Sequence, residues 1–148
     1  MDFINTTYCP GQIFVVWEAG GGSPRRKALY PEYKANRVKA PDDFKAQIPI
    51  VQEVAQKLNI HSLVIPWYEA DDIIAVACKH YANEPKIIIS TDRDYLQLIT
   101  ENTSVYDPPQ DAFTDAAAML ARYGVEDIAI ATKLSLIEKC LVGDASDN

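Results

Sequence analysis

The chain has 148 residues, 48% of them hydrophobic and 24% charged, which is enough apolar material for one globular domain and too much for a disordered segment. Lys and Arg number 14 against 21 Asp and Glu, a net charge of −7, and that balance alone argues against a partner held by bulk positive charge. The apolar runs fall far short of the roughly 20 residues that cross a bilayer, which argues against a membrane protein.

Ile13-Phe14-Val15-Val16-Trp17, β-branched and aromatic, predicts a buried strand. Gly20-Gly21-Gly22-Ser23-Pro24 breaks it and opens a loop. A basic segment follows with Tyr30 and Tyr33 interleaved. From Pro41 a helix is expected, with Asp42 and Asp43 in its first turn and Phe44, Ile48, Val51, Val54, Ala55 and Leu58 at helical spacing. Pro49 should kink or split it, and Asn59 should stop it. Ser62-Leu63-Val64-Ile65 is a second strand closed by Pro66, and Glu69 to Tyr81 a helix. Lys86 to Ser90 is a third strand, Asp94 to Ile99 a short helix and Ser104-Val105-Tyr106 a fourth strand. Helices over Thr114 to Tyr123 and Ile128 to Leu141 complete the chain. Strands alternating with helices define an α/β class with a mostly parallel sheet wrapped by helices. His61 and His80 are read as structural or surface residues, and Trp17 and Trp67, at strand ends, as core residues. Cys9, Cys78 and Cys140 are widely spaced and include no C-x-x-C pair. With no basic-then-apolar leader at Met1-Asp2-Phe3-Ile4-Asn5, they read as reduced thiols of a cytoplasmic protein.

The charge is unevenly distributed. Between Arg25 and Lys45 lie seven basic residues against three acidic ones, leaving seven basic and 18 acidic residues elsewhere. The acids fall in a pattern. Glu18 follows the first strand, Glu69, Asp71 and Asp72 follow the second, and Asp92 and Asp94 follow the third; Asp144 and Asp147 end the chain. In parallel α/β sheets ligands bind beyond the carboxyl ends of the strands. Each acid alone is explained as a helix cap. As a set, they account for more than the whole net charge. Carboxylates brought that close need counter-charge to stay ionised. With no His or Cys among them, hard divalent ions with oxygen ligands, Mg2+ or Mn2+, suit the set better than zinc. Such sites serve phosphoryl chemistry. Lys34 and Arg37, with Arg25 and Arg26, then become candidates for receiving substrate phosphates; an ordinary solvated basic face is the plainer explanation.

Four stretches carry a resemblance: Leu29-Tyr30-Pro31-Glu32-Tyr33-Lys34-Ala35-Asn36-Arg37, Glu69-Ala70-Asp71-Asp72, Ser90-Thr91-Asp92-Arg93-Asp94 and Gly143-Asp144-Ala145-Ser146-Asp147-Asn148. In order and spacing they resemble the 5′–3′ exonuclease and flap-endonuclease family, which includes phage 5′ nucleases and the 5′-nuclease domain of bacterial DNA polymerase I. The resemblance implies one PIN-like nuclease core over residues 1–148, with residues 19–45 as an arch or gateway segment. It implies two divalent ions held by residues matching Glu69, Asp71, Asp72, Asp92, Asp94, Asp144 and Asp147. Lys34 and Arg37 match catalytic basic residues at the foot of the arch, Arg26 matches a phosphate contact, and Tyr33 stands where a base could stack. The implied substrate is DNA with 5′ ends or flaps, or RNA in RNA–DNA hybrids, cut by a monomer.

Two departures qualify these expectations. No strand ending in Asp-Gly precedes Ile13, so a first strand is read as absent, and Glu18 stands where many members have Asp; because the sequence stops at Asn148, a C-terminal helix-hairpin-helix region is also read as absent. The alternative to an active nuclease is therefore a truncated, inactive fragment that binds nucleic acid or metal. A phosphatase using Asp92 and Asp94 as nucleophile and acid is a third reading; it leaves Lys34, Arg37 and the final Asp pair without a use.

Overall fold

The computed structural model describes residues 10–19, 23–35 and 37–143. They fall into two compact units that part between Ile73 and Ile74, and each is described by itself.

In the first unit, strand β1 (Phe14–Trp17) lies parallel to β2 (His61–Val64), with Phe14 opposite His61 and Trp17 opposite Val64. Parallel neighbours require a long crossover, and helices α1 (Pro24–Leu29) and α2 (Asp42–Lys57) occupy it. Sequence patterning did not foresee α1. Six residues are too few to show a period, although its start signal was present: Ser23 caps the helix by accepting the Arg26 N–H at 3.4 Å, and Pro24 takes the first helical position. Helix α2 runs unbroken through Pro49, where a kink or split was expected; the ring removes the single bond to the Lys45 carbonyl and the neighbouring turns carry the helix past it. Asn59 follows the helix in the left-handed region at φ 55°, the stop it was expected to supply. The helix packs on β2, but a two-stranded sheet covers little of it. Phe44, Ile50, Val51, Val54 and Leu58 stay exposed, and only Ala55 is buried. The other buried residues of this unit, among those described, are Ser23, Glu69 and Ile73. A carboxylic side chain, Glu69, is thus among the few buried residues of this unit.

Helix α3 (Ala70–His80) leads into the second unit. There β3 (Lys86–Ile89) pairs in parallel with β4 (Thr103–Asp107), which pairs antiparallel with β5 (Ala112–Thr114). A 3₁₀ helix spans Arg93–Leu98, and α4 (Ala116–Tyr123) and α5 (Ile128–Val142) follow. Strand β5 corrects the expectation of a helix from Thr114. Ala112-Phe113-Thr114 pairs with β4 across a turn that the Tyr106 hydroxyl braces by donating to Asp111 at 2.9 Å. The helix starts only after Asp115, whose carboxylate accepts the Ala118 N–H at 2.8 Å. Asp127 caps α5 in the same way through Ala129, also at 2.8 Å. Asp115→Ala should cost about 1 kcal/mol, read as a fall in melting temperature of roughly 2–4 °C; an unchanged melting temperature would show the cap to be idle.

The core of this unit joins Ile88, Tyr95, Leu96, Ile99, Val105, Met119 and Ala131, with Ile74 and Cys78 packed against it. Burial pushes the Cys78 thiol pKa up against the opposing pull of Lys86, as suits a reduced, unreactive thiol. Cys9 lies outside the described residues.

Candidate active site

Glu69 stands immediately before α3 and is only 3% exposed. Its Oε2 accepts hydrogen bonds from the Arg26 guanidinium, from the Tyr33 hydroxyl at 3.0 Å and from Lys34 Nζ at 3.1 Å. Arg26 also donates through Nη2 to Asp72 Oδ1 at 2.8 Å, and its Nη1 lies 3.7 Å from Asp71 Oδ1. The carboxylates are positioned by the helix start itself. Asp72 Oδ2 accepts the Glu69 N–H at 3.1 Å, the reach-back half of a capping box, and Asp71 Oδ1 accepts the Asp72 N–H at 2.7 Å. Two cations lie against the Tyr33 ring, Arg26 at 5.6 Å and Lys34 at 5.1 Å from its centre. Lys34 reaches inward from a left-handed backbone at φ 55°. Burying an ionised carboxylate is tolerable only when it is paired and hydrogen-bonded, and two cations and a phenol meet that requirement.

Of the four cations expected to receive phosphates, Arg26 and Lys34 thus face the carboxylates in this structure. Arg25 is held differently: its Nη1 donates to the Tyr68 hydroxyl at 2.7 Å, and its guanidinium lies 5.1 Å from that ring's centre. Arg37 is exposed, its N–H donating to the Lys34 carbonyl at 3.3 Å. Glu18 lies exposed just beyond β1. Tyr68 was missed as a partner because 43 positions separate it from Arg25, and no local pattern reports such a contact.

In the second unit Asp92 caps the 3₁₀ helix, its Oδ1 accepting the Asp94 N–H at 2.9 Å while its own N–H donates to Ser90 Oγ at 3.1 Å. Asp94 Oδ1 accepts from Lys139 Nζ of α5. Sequence reasoning also missed Lys139, which lies 45 residues from its partner. Asp94 and Lys139 line a cleft of about 310 Å³ together with Arg93, Arg122 and Glu138. The Glu138 carboxyl is held below its ordinary pKa, chiefly by the Tyr123 hydroxyl at 2.6 Å, with Arg122 and Arg93 adding to the effect. Asp144 and Asp147 lie outside the described residues.

Glu69, Asp71 and Asp72 offer only carboxylate oxygens, the donor chemistry of hard divalent ions. Among the described residues no three His, Cys, Asp or Glu side chains gather closely enough to hold a metal ion; at Glu69 and Asp72 the positive charge is supplied by Arg26 and Lys34.

Two parallel strand pairings and one antiparallel one, with helices between the strands and acids after three of them, define an α/β fold. The bacteriophage T5 protein co-crystallised with metal ions superposes with a TM-score of 0.76 at 23% identity, over 98% of this chain and 57% of that one. The T5 flap endonuclease in a pseudo-enzyme–product complex with DNA and metal ions gives 0.73 at 23% identity, over 98% and 56%. Residues 2–124 match the model of the 5′–3′ exonuclease N-terminal resolvase-like domain, and the chain belongs to that family. It is 38% identical over 141 residues to a 5′–3′ exonuclease of Aquifex aeolicus, covering 94% of this chain and 47% of that protein. It is 32% identical to DNA polymerase I of Streptococcus pneumoniae, covering 94% of this chain and 16% of that protein. The chain therefore spans about half the length of the first of these relatives and a much smaller part of the second.

Proposed function

We propose that this chain is the core of a divalent-metal-dependent 5′–3′ exonuclease or flap endonuclease, hydrolysing phosphodiester bonds in DNA or in RNA of RNA–DNA hybrids. The observation that supports it best is the Glu69–Asp71–Asp72 carboxylate group, met by Arg26 and Lys34, in a chain of the 5′–3′ exonuclease family. The T5 relative described with DNA and metal ions is consistent with it.

On this reading Glu69, Asp71 and Asp72 in the first unit would hold divalent cation, Mg2+ or Mn2+. Asp92 and Asp94 in the second would do the same, with Glu18, Asp144 and Asp147 as further ligands. Such ions, when bound, would supply Lewis-acid activation of a water and charge stabilisation at the departing oxygen. The remaining work falls to the chain's own groups. Arg26 and Lys34 hold the carboxylates in place, and they exchange those carboxylates for a substrate phosphate when one arrives. Lys34 and Arg37 place the scissile phosphate, and Arg25 meets the strand that leads away from it. Residues 1–148 form the nuclease core and residues 19–45 its gateway.

Cleavage of a 5′-flapped duplex in Mg2+ or Mn2+ by the intact chain, and its loss in Asp92→Ala, would bear the proposal out. DNA binding that survives without cleavage would favour the reading of a binding fragment, for which the occupied carboxylates Glu69 and Asp72 speak. Hydrolysis of a small phosphate ester through an aspartyl intermediate would overturn both. DNA affinity should also fall steeply as salt rises from about 50 to 200 mM, because each neutralised phosphate releases counterions; a flat response would exclude phosphate-led docking.

A further inference from the structure

The turn that delivers Glu69 to the site is built at a steric cost. Ile65-Pro66-Trp67-Tyr68 closes with the Tyr68 N–H donating to the Ile65 carbonyl at 3.4 Å, and Trp67 holds φ 77°. Proline second and a left-handed third residue is the pattern of a type II turn, whose third place ordinarily falls to Gly or Asn because a β-carbon crowds the backbone there. A bulky aromatic in that conformation is an outlier. Core packing does not offset the strain. Trp67 was expected in the core and is instead 63% exposed, because the left-handed turn leaves it on the surface. Its neighbour Tyr68 is also exposed and carries the Arg25 guanidinium 5.1 Å from its ring centre. Two residues beyond the indole stands the buried Glu69.

An exposed indole kept against backbone preference, beside an arginine-backed tyrosine and next to a phosphate-chemistry carboxylate, matches what an unpaired nucleobase and its phosphate would need. Base–aromatic stacking is strong and tolerant of sequence, and strain of this kind collects at ligand sites. We infer that Trp67 is the stacking platform for an unpaired base of the substrate strand and sets its position relative to Glu69. The inference rests on the nuclease reading above.

The test uses the whole chain with Trp17→Phe, which leaves Trp67 as the sole tryptophan, and single-stranded oligothymidylate in EDTA so that no cleavage occurs. Saturable quenching of Trp67 emission is expected. In the otherwise unchanged chain, Trp67→Gly should weaken oligothymidylate binding five- to thirtyfold, measured by anisotropy of a labelled oligonucleotide. Its melting temperature should hold or rise, because glycine suits the turn. Trp67→Phe should recover most of the affinity. Unchanged affinity in Trp67→Gly, or emission that ignores saturating oligonucleotide, overturns this inference and leaves the nuclease reading standing. A fall in melting temperature in Trp67→Gly also overturns it, by showing that the indole serves packing. A wild-type chain that binds no oligonucleotide also overturns this inference, and the nuclease reading then stands or falls on the flapped-duplex assay in Mg2+ or Mn2+.

Discussion

Replacing Arg26 with alanine is expected to cost about 2–3 kcal/mol of stability, more than any other single change at the ionic cluster. Glu69 is almost completely buried, and among the described residues Arg26 is the one cation that reaches Glu69, Asp71 and Asp72 together. Breaking a buried pair by removing one partner leaves a charge that water cannot reach, which is worth about 3–5 kcal/mol in fully buried cases. Lys34 and Tyr33 stay on Glu69, and Arg26 is itself part-exposed, so the cost falls to or below the bottom of that range. The melting temperature should fall by roughly 4–12 °C. Glu69→Gln placed on top of Arg26→Ala should recover part of that loss, because a neutral amide needs no counter-charge. A double variant no more stable than Arg26→Ala alone, or a single variant within 1–2 °C of the parent by the same scaling, would show that the cluster does not hold the fold.

Asp71→Asn should leave stability nearly unchanged and cut phosphodiester cleavage about 100-fold or more, a barrier change of about 2.7 kcal/mol. The two outcomes are separable because of where Asp71 sits. It is the most loosely paired of the three carboxylates, 3.7 Å from Arg26 and 36% exposed at its side chain. Its one short contact, the Asp72 N–H at 2.7 Å, can be kept by an asparagine oxygen. What the substitution removes is the negative charge, which a hard cation needs and the local fold does not. Initial-rate cleavage of a flapped duplex and calorimetric titration with Mn2+ would check it. Cleavage within about threefold of the parent, roughly 0.65 kcal/mol, would remove Asp71 from the metal site and weaken the proposal for its neighbours.

The strands and long helices were legible because each carries its signal in consecutive residues. Phe14-Val15-Val16-Trp17 and Ile87-Ile88-Ile89 are apolar, β-branched or aromatic runs bounded by breakers, and α3 and α5 have caps and helical spacing. Helix α1 and strand β5 were not legible, at six and three residues, since neither is long enough to show a period. Pro49 misled for a related reason: its cost is local, and the surrounding turns of α2 outweigh it. Trp67 misled because residue type argued for burial, whereas the backbone turn at Pro66 decided exposure. The acids at the strand ends could be picked out by position, but their partners could not. Arg25 with Tyr68, Arg26 with Glu69, and Lys139 with Asp94 are separated by 43 to 45 positions.

The amino-acid order by itself determined the α/β class, the sites where carboxylates follow strands, and the concentration of positive charge between Arg25 and Lys45. These are properties of neighbouring residues, and local sterics and hydrophobic patterning suffice to produce them. Only the tertiary structure decided that Glu69 is buried rather than solvated, that Arg26 and Lys34 turn toward it, and that Trp67 stays exposed. The reason is electrostatic and steric. A carboxylate withdrawn from water recruits whatever cations the fold can bring within hydrogen-bonding distance, and a left-handed turn directs its side chain without regard to hydrophobicity.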